Sequence, residues 1–119
     1  MLRDDAALVD IAMAARLVAE FVMGLDRDQF LADRKTQSSA IYQLLVIGEA
    51  VKRLSSGFRT QHPTVPWALI AGMRDHLIHA YDSVDWEEVW NTIHSDVPAL
   101  LANIEPLLPI TPADDEPRL

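Results

Sequence analysis

The chain has 119 residues, no cysteine, ten Lys and Arg against eighteen Asp and Glu, and a formal net charge of −8. That length suits one domain and not two, and the missing cysteines exclude a disulfide framework and a thiolate metal site. The acidic balance works against a generic affinity for phosphate backbones, so any nucleic-acid role must be local.

Half of the residues are apolar and 24% are charged, an ordinary globular composition that excludes a wholly disordered chain. Polar residues interrupt every hydrophobic stretch before the roughly 20 residues that span a bilayer. The N-terminus, MLRDDAALVD, carries acids where a signal peptide carries bases, so a cytoplasmic protein without membrane contact is expected. Bases collect in the middle third at Arg34, Lys35, Lys52, Arg53 and Arg59, and acids dominate from Asp82 onward.

From Asp4 to about Gly24, Leu8, Ile11, Ala15, Val18 and Val22 recur at steps of three and four, the stripe of an amphipathic helix. A short helical turn around Phe30 precedes a second long helix that starts near Asp33 or Thr36. There Ile41, Leu44, Leu45, Gly48, Val51 and Leu54 keep helical spacing. Gly48 costs about 1 kcal/mol relative to alanine inside a helix, which points to a close helix crossing. The stretch SSGFRTQHPTVP then reads as a break, through Gly57, Pro63 and Pro66.

Pro66 suits the first position of a third helix, which takes in Trp67, Ile70, Leu77 and Ile78. Asp85 can cap a fourth, running from Trp86 through Val89, Ile93, Leu100 and Ile104 to about Leu108, with Pro98 kinking or splitting it. Trp67, Trp86 and Trp90 read as packing anchors at the helix junctions. The fold class expected is all-α: an up-and-down antiparallel bundle of four main helices over residues 1–108, with 109–119 a Pro-rich, acidic tail.

One stretch stands apart. GMRDHLIHAY, Gly72 to Tyr81, crowds Arg74, His76, His79 and Tyr81 together. At 100° per residue Arg74 and Tyr81 fall within about 20° of one another, whereas His79 lies about 140° around from Arg74, near Asp75. One regular helix does not close such a site. A distorted helix end, an Arg74 side chain that wraps across, or a second copy related by a two-fold axis would each do so.

The residue types suit RNA cleavage without metal. An imidazole with an unperturbed pKa near 6.5 moves a proton at neutral pH, and the planar fork of Arg74 can brace a charged phosphorane. Tyr81 can position the phosphate or stack on a base. The plain alternative is that Arg74 and His79 are ordinary surface and core-edge residues. His76 with His79 has metal-ligand spacing but lacks a third nearby ligand. His62 and His94 show no partner pattern, and Lys52 and Arg53 are by default a solvated face.

RDHLIHAY resembles the R-x4-H-x-Y motif of HEPN-domain proteins, specifically the HepT-type toxins of HepT–MntA toxin–antitoxin pairs. IGEAVKRLS at Ile47 to Ser55, VPWALIAGMRD at Val65 to Asp75 and VDWEEVW at Val84 to Trp90 resemble the family's other recurring stretches, in the same order. The likeness covers roughly residues 4–108. It implies an all-α homodimer with its cleft across the two-fold axis and metal-independent endoribonuclease activity, with no cofactor. It also implies an MntA-like nucleotidyltransferase antitoxin that transfers AMP to the motif tyrosine, in a hetero-oligomer with the toxin.

Carried over by position, the resemblance makes Arg74 and His79 catalytic and Tyr81 the modified residue. Asp75 stands where HEPN proteins often carry asparagine; an aspartate there can orient His79 but also repels phosphate. The competing expectation is a non-catalytic helical dimer that binds a nucleotidyltransferase partner or a nucleotide.

Overall fold

The computed structural model describes residues 2–73 and 83–109. Helix α1 (Arg3–Val22) and helix α3 (Arg34–Arg53) form the central antiparallel pair. The α1 stripe is buried as its spacing predicts: Leu8, Ile11, Ala15, Val18 and Val22 all face the core, joined by Ala7, Ala12 and Ala14. The small side chains let α3 approach closely, and Ala40, Leu44, Ile47, Gly48, Ala50 and Val51 meet them from the other side. Each large aliphatic buried there contributes about 1.5–3 kcal/mol. Gly24, at φ 82, takes the left-handed conformation that ends α1 and turns the chain.

Helix α2 (Arg27–Leu31) is the short turn expected around Phe30. Asp26 and Gln29 form a capping box at its start. At its end Gln37, buried on α3, donates to the carbonyls of Phe30 and Leu31 at 3.0 Å each. Asp33 caps α3 by accepting from the Thr36 amide at 3.0 Å and its hydroxyl at 2.7 Å, which settles the start of that helix.

The break expected after α3 is a further short helix, α4 (Ser56–Gln61), capped by the Ser55 hydroxyl accepting from the Phe58 amide at 3.1 Å. Gly57 sits in its first turn, where a glycine is tolerated, and the prolines fall beyond its end. Tertiary contact sustains so short a helix: Phe58 lies 6.0 Å from Trp67 and 4.5 Å from the His62 ring, centroid to centroid.

Helix α5 (Trp67–Ala71) follows, with Pro66 one position earlier than expected, as N-cap. It closes at Gly72, so the expected single helix from Pro66 through the motif is interrupted there. Apolar spacing runs across that glycine and hides the boundary. α5 crosses α3 at Gly48, where an added Cβ would stand 3.5 Å from the Ile70 carbonyl oxygen, an ordinary contact. The close crossing read from Gly48 is present, and a larger side chain there would push α5 away.

Asp85 caps helix α6 (Trp86–Asn91) by accepting from the Glu88 amide at 3.1 Å. Residues Thr92–Asp96 then widen into a π turn before helix α7 (Val97–Ile104), with the Val97 amide reaching back to the Thr92 carbonyl. This is how the helix accommodates Pro98: the ring would clash with the carbonyl four residues earlier, and a wider turn relieves it. A 3₁₀ turn, Glu105–Leu107, ends the described bundle. Among the described residues there is no strand, and no helix is long and apolar enough to cross a membrane. Residues 110–119, most of the expected tail, lie outside the described residues.

The N-terminus of α1 is tied to the α3–α4 corner. Asp4 accepts from the Ser55 amide and hydroxyl, both at 2.7 Å, and Arg53 pairs with Asp10 at 2.6 Å. The Ser55 amide, then its hydroxyl, hold the Asp4 carboxyl below its ordinary range, and the Thr36 amide and hydroxyl do the same for Asp33. Because folding lowers these pKa values, the stability they contribute is present above the unfolded value and is lost as pH falls through it towards the folded one. The thermal midpoint should be flat above about pH 5 and decline below about pH 4. Asp4→Asn should lower the midpoint at neutral pH and make the acid decline shallower; parallel curves would remove Asp4 from this account.

Candidate functional site

Arg74, Asp75, His76, His79 and Tyr81 lie outside the described residues; the structure defines the two ends that hold their stretch. On the entry side, Trp67 anchors α5: it is buried, and its indole N–H donates to the His62 carbonyl at 2.9 Å. Gly48 lets α5 lie against α3, so Gly72 and Met73 are delivered from a fixed crossing. On the exit side, Asp85 starts α6, and Trp86 and Trp90 pack on Phe30 with centroids 6.4 and 5.3 Å away. All three tryptophans therefore anchor helix junctions, as their positions predict.

Between the two ends runs a groove of about 430 Å³. Leu69, Ile70 and Met73 give it an apolar wall, and Glu88, Asp96 and Asn103 give it a polar rim. Leu69 is 76% exposed on that wall. The groove's two carboxylates make it unsuited to an anion.

The other sequence candidates resolve into structural roles. Lys52 lies 3.6 Å from Glu49 and Arg53 is engaged with Asp10, so both belong to the solvated face of α3. His94 is exposed, its Nδ1 2.9 Å from the Trp90 carbonyl oxygen and its ring 3.8 Å from the Trp90 ring, centroid to centroid. His62 rests on Phe58. Among the described residues no three His, Asp or Glu side chains group closely enough to hold a metal ion.

The chain matches the family described as Ribonuclease HepT-like over residues 11–107, from α1 to the final 3₁₀ turn. It is 44% identical over 100 residues to "Probable ribonuclease HepT" of Thermococcus cleftensis, a span that covers 84% of this chain and 91% of that protein. To a "Putative RNase" of Methanocaldococcus jannaschii it is 38% identical over 111 residues, 93% of this chain and 92% of the relative. Another "Putative RNase", from Caldanaerobacter subterraneus, is 38% identical over 101 residues, covering 85% and 90%. No solved structure matches the chain. A family match that spans the bundle, with similarity along nearly the full length of several relatives, leads to one conclusion: the chain belongs to the HepT-like ribonuclease family.

Proposed function

We propose that this protein is a metal-independent endoribonuclease that acts in the cytoplasm as the toxin of a toxin–antitoxin pair. The observation that carries the reading is the family match over residues 11–107, within which R-x4-H-x-Y stands intact at Arg74, His79 and Tyr81. His79 takes the proton of a ribose 2′-hydroxyl, and that oxygen bonds to the adjacent phosphorus. The bond from phosphorus to the 5′-oxygen breaks, and the leaving oxygen gains a proton. Arg74 stabilises the charge that builds on the phosphorane, and Asp75 orients His79.

The spread of Arg74 and His79 on an ideal helix supports a cleft built by two copies across a two-fold axis, each contributing part of the site. Tyr81 is the control point. A nucleotidyltransferase antitoxin of MntA type would transfer AMP from ATP to its hydroxyl, releasing pyrophosphate. The added phosphate would then compete with RNA for Arg74. A second reading, a non-catalytic helical dimer that binds the nucleotidyltransferase, is favoured by the net charge of −8 and by the carboxylate of Asp75 beside the motif arginine.

The test is incubation of the purified protein with total RNA in a strong chelator, after intact mass has shown Tyr81 unmodified. Cleavage is expected. An unmodified, folded protein that leaves the RNA whole would transfer the assignment to the binding module, and cleavage that the chelator stops would point to His76 and His79 as metal ligands.

A further inference from the structure

In an acidic protein that handles RNA, an arginine left without an acidic partner is worth locating. Most cations among the described residues are engaged. Arg3 donates to the Arg53 carbonyl at 2.7 Å, Arg16 reaches Glu105 at 3.9 Å, Arg27 pairs with Asp28 and Glu87, and Lys52 and Arg53 have the partners given above. Arg34 and Lys35 stand exposed at the start of α3. Arg59 differs from all of these. It is half-buried on α4, its Nε is sealed from solvent without a hydrogen-bond partner, and no acidic side chain among the described residues pairs with it.

Arg59 lines a shallow hollow of about 320 Å³ with Ser56, Thr60, Trp67 and Ala68. Among the described residues no carboxylate contributes to that wall, in contrast to the groove along Glu88 and Asp96. The Thr60 hydroxyl donates to the Ser56 carbonyl at 2.8 Å, which leaves its oxygen lone pairs to accept, and Ser56 brings a second hydroxyl. Trp67, fixed by its bond to the His62 carbonyl, makes a rigid floor.

Sealing one donor of a guanidinium without a partner is costly. The enclosed Nε also means that the stem is held by packing, and Arg59 forms part of the wall of the hollow. A phosphate suits the fork's geometry and the adjacent hydroxyl, and in a chain of net charge −8 a half-buried cation with no acidic partner among the described residues locally favours an anion. Position adds to chemistry. Trp67 and Ala68 open α5, a helix about 7.5 Å long that leads through Gly72 to Arg74.

We propose that the Arg59 hollow holds a backbone phosphate of the RNA strand, positioning the strand along α5 towards the motif. This rests on the ribonuclease reading. Arg59 is a positioning residue: it grips the strand through a phosphodiester without reading sequence, and it takes no part in bond breaking.

The test measures binding of a fluorescently labelled single-stranded RNA as a function of salt, in the His79→Ala background so that the strand stays intact. Arg59→Ala should weaken binding about tenfold and reduce the salt slope by roughly 0.7, the release expected for one single-strand phosphate contact. Arg59→Lys should restore the slope, and Arg59→Gln should not. AMP is titrated as competitor in parallel. Unchanged affinity and slope in both Arg59→Ala and Arg59→Gln would overturn the proposal, as would an equal loss of affinity for AMP and RNA, which would assign the hollow to a free nucleotide phosphate. Failure of the ribonuclease reading registers separately: wild-type protein would then leave RNA uncut whatever the Arg59 variants bind.

Discussion

His79→Ala is expected to reduce RNA cleavage by at least about 100-fold while leaving the thermal midpoint within about a degree of wild type. General acid–base catalysis contributes about 10²–10⁴-fold, and an alanine can neither accept the 2′-hydroxyl proton nor return one to the leaving oxygen. The pH profile gives a second check. An imidazole that works as base must be neutral, so wild-type activity should rise with pH through an inflection as the imidazole loses its proton. The residual activity of His79→Ala should lose that inflection. Tyr81→Phe separates chemistry from control: it removes the proposed AMP acceptor and should cleave RNA whether or not a nucleotidyltransferase and ATP are present. Full cleavage by His79→Ala would remove the histidine from the mechanism and with it the proposed reaction.

Much of the bundle was legible because its signals are local. The stripe from Leu8 to Val22 and the cap at Asp85 each depend on residues within one or two turns, and the structure has both. What escaped depends on distant partners. α4 contains Gly57 and precedes two prolines, so its sequence reads as a break; it forms because Asp4, some fifty residues away, locks Ser55, and because Phe58 packs towards Trp67. Pro98 announced a disruption of the last helix but not its kind, since a kink and a π turn satisfy the same missing hydrogen bond.

The candidate site divides in the same way. Arg74, His79 and Tyr81 fall within eight consecutive residues, so spacing and residue type suffice to single them out. The convergence proposed for them would take tertiary and quaternary geometry, which a helical wheel cannot supply. Arg59 carries no sequence signal beyond being one of five bases in the middle third. Its distinction is an enclosed Nε with no partner among the described residues, and such enclosure is set by packing: Arg53, six residues earlier, finds Asp10 across the α1–α3 interface, whereas Arg59 on α4 faces Ser56, Thr60 and Trp67.

Phe30→Ala should be the most destabilising of the simple truncations. Phe30 is fully buried and meets Trp86 edge-on at an interplanar angle of 70°, and Trp90 at 40°. Removing such a ring costs about 3–5 kcal/mol through lost transfer energy and the cavity left behind, out of a total of about 5–15 kcal/mol for a domain. At a few degrees per kcal/mol the midpoint should fall by on the order of 15 °C. Phe30→Leu keeps most of the volume and should cost no more than about 1.5 kcal/mol. The effect reaches beyond stability, because α2 is five residues long and has no independent existence as a helix. Phe30, the Gln37 cap and the Arg27–Glu87 pair hold it against α3 and α6. α6 is also the helix that follows the motif stretch in the chain, so loosening its tryptophans loosens one of the two described ends that flank the proposed site. Phe30→Ala should therefore lose cleavage at temperatures below its own unfolding midpoint, read by assaying activity and tryptophan fluorescence on the same sample. Activity that persists up to the midpoint would mean that α5 and its crossing at Gly48 hold the stretch without help from α6.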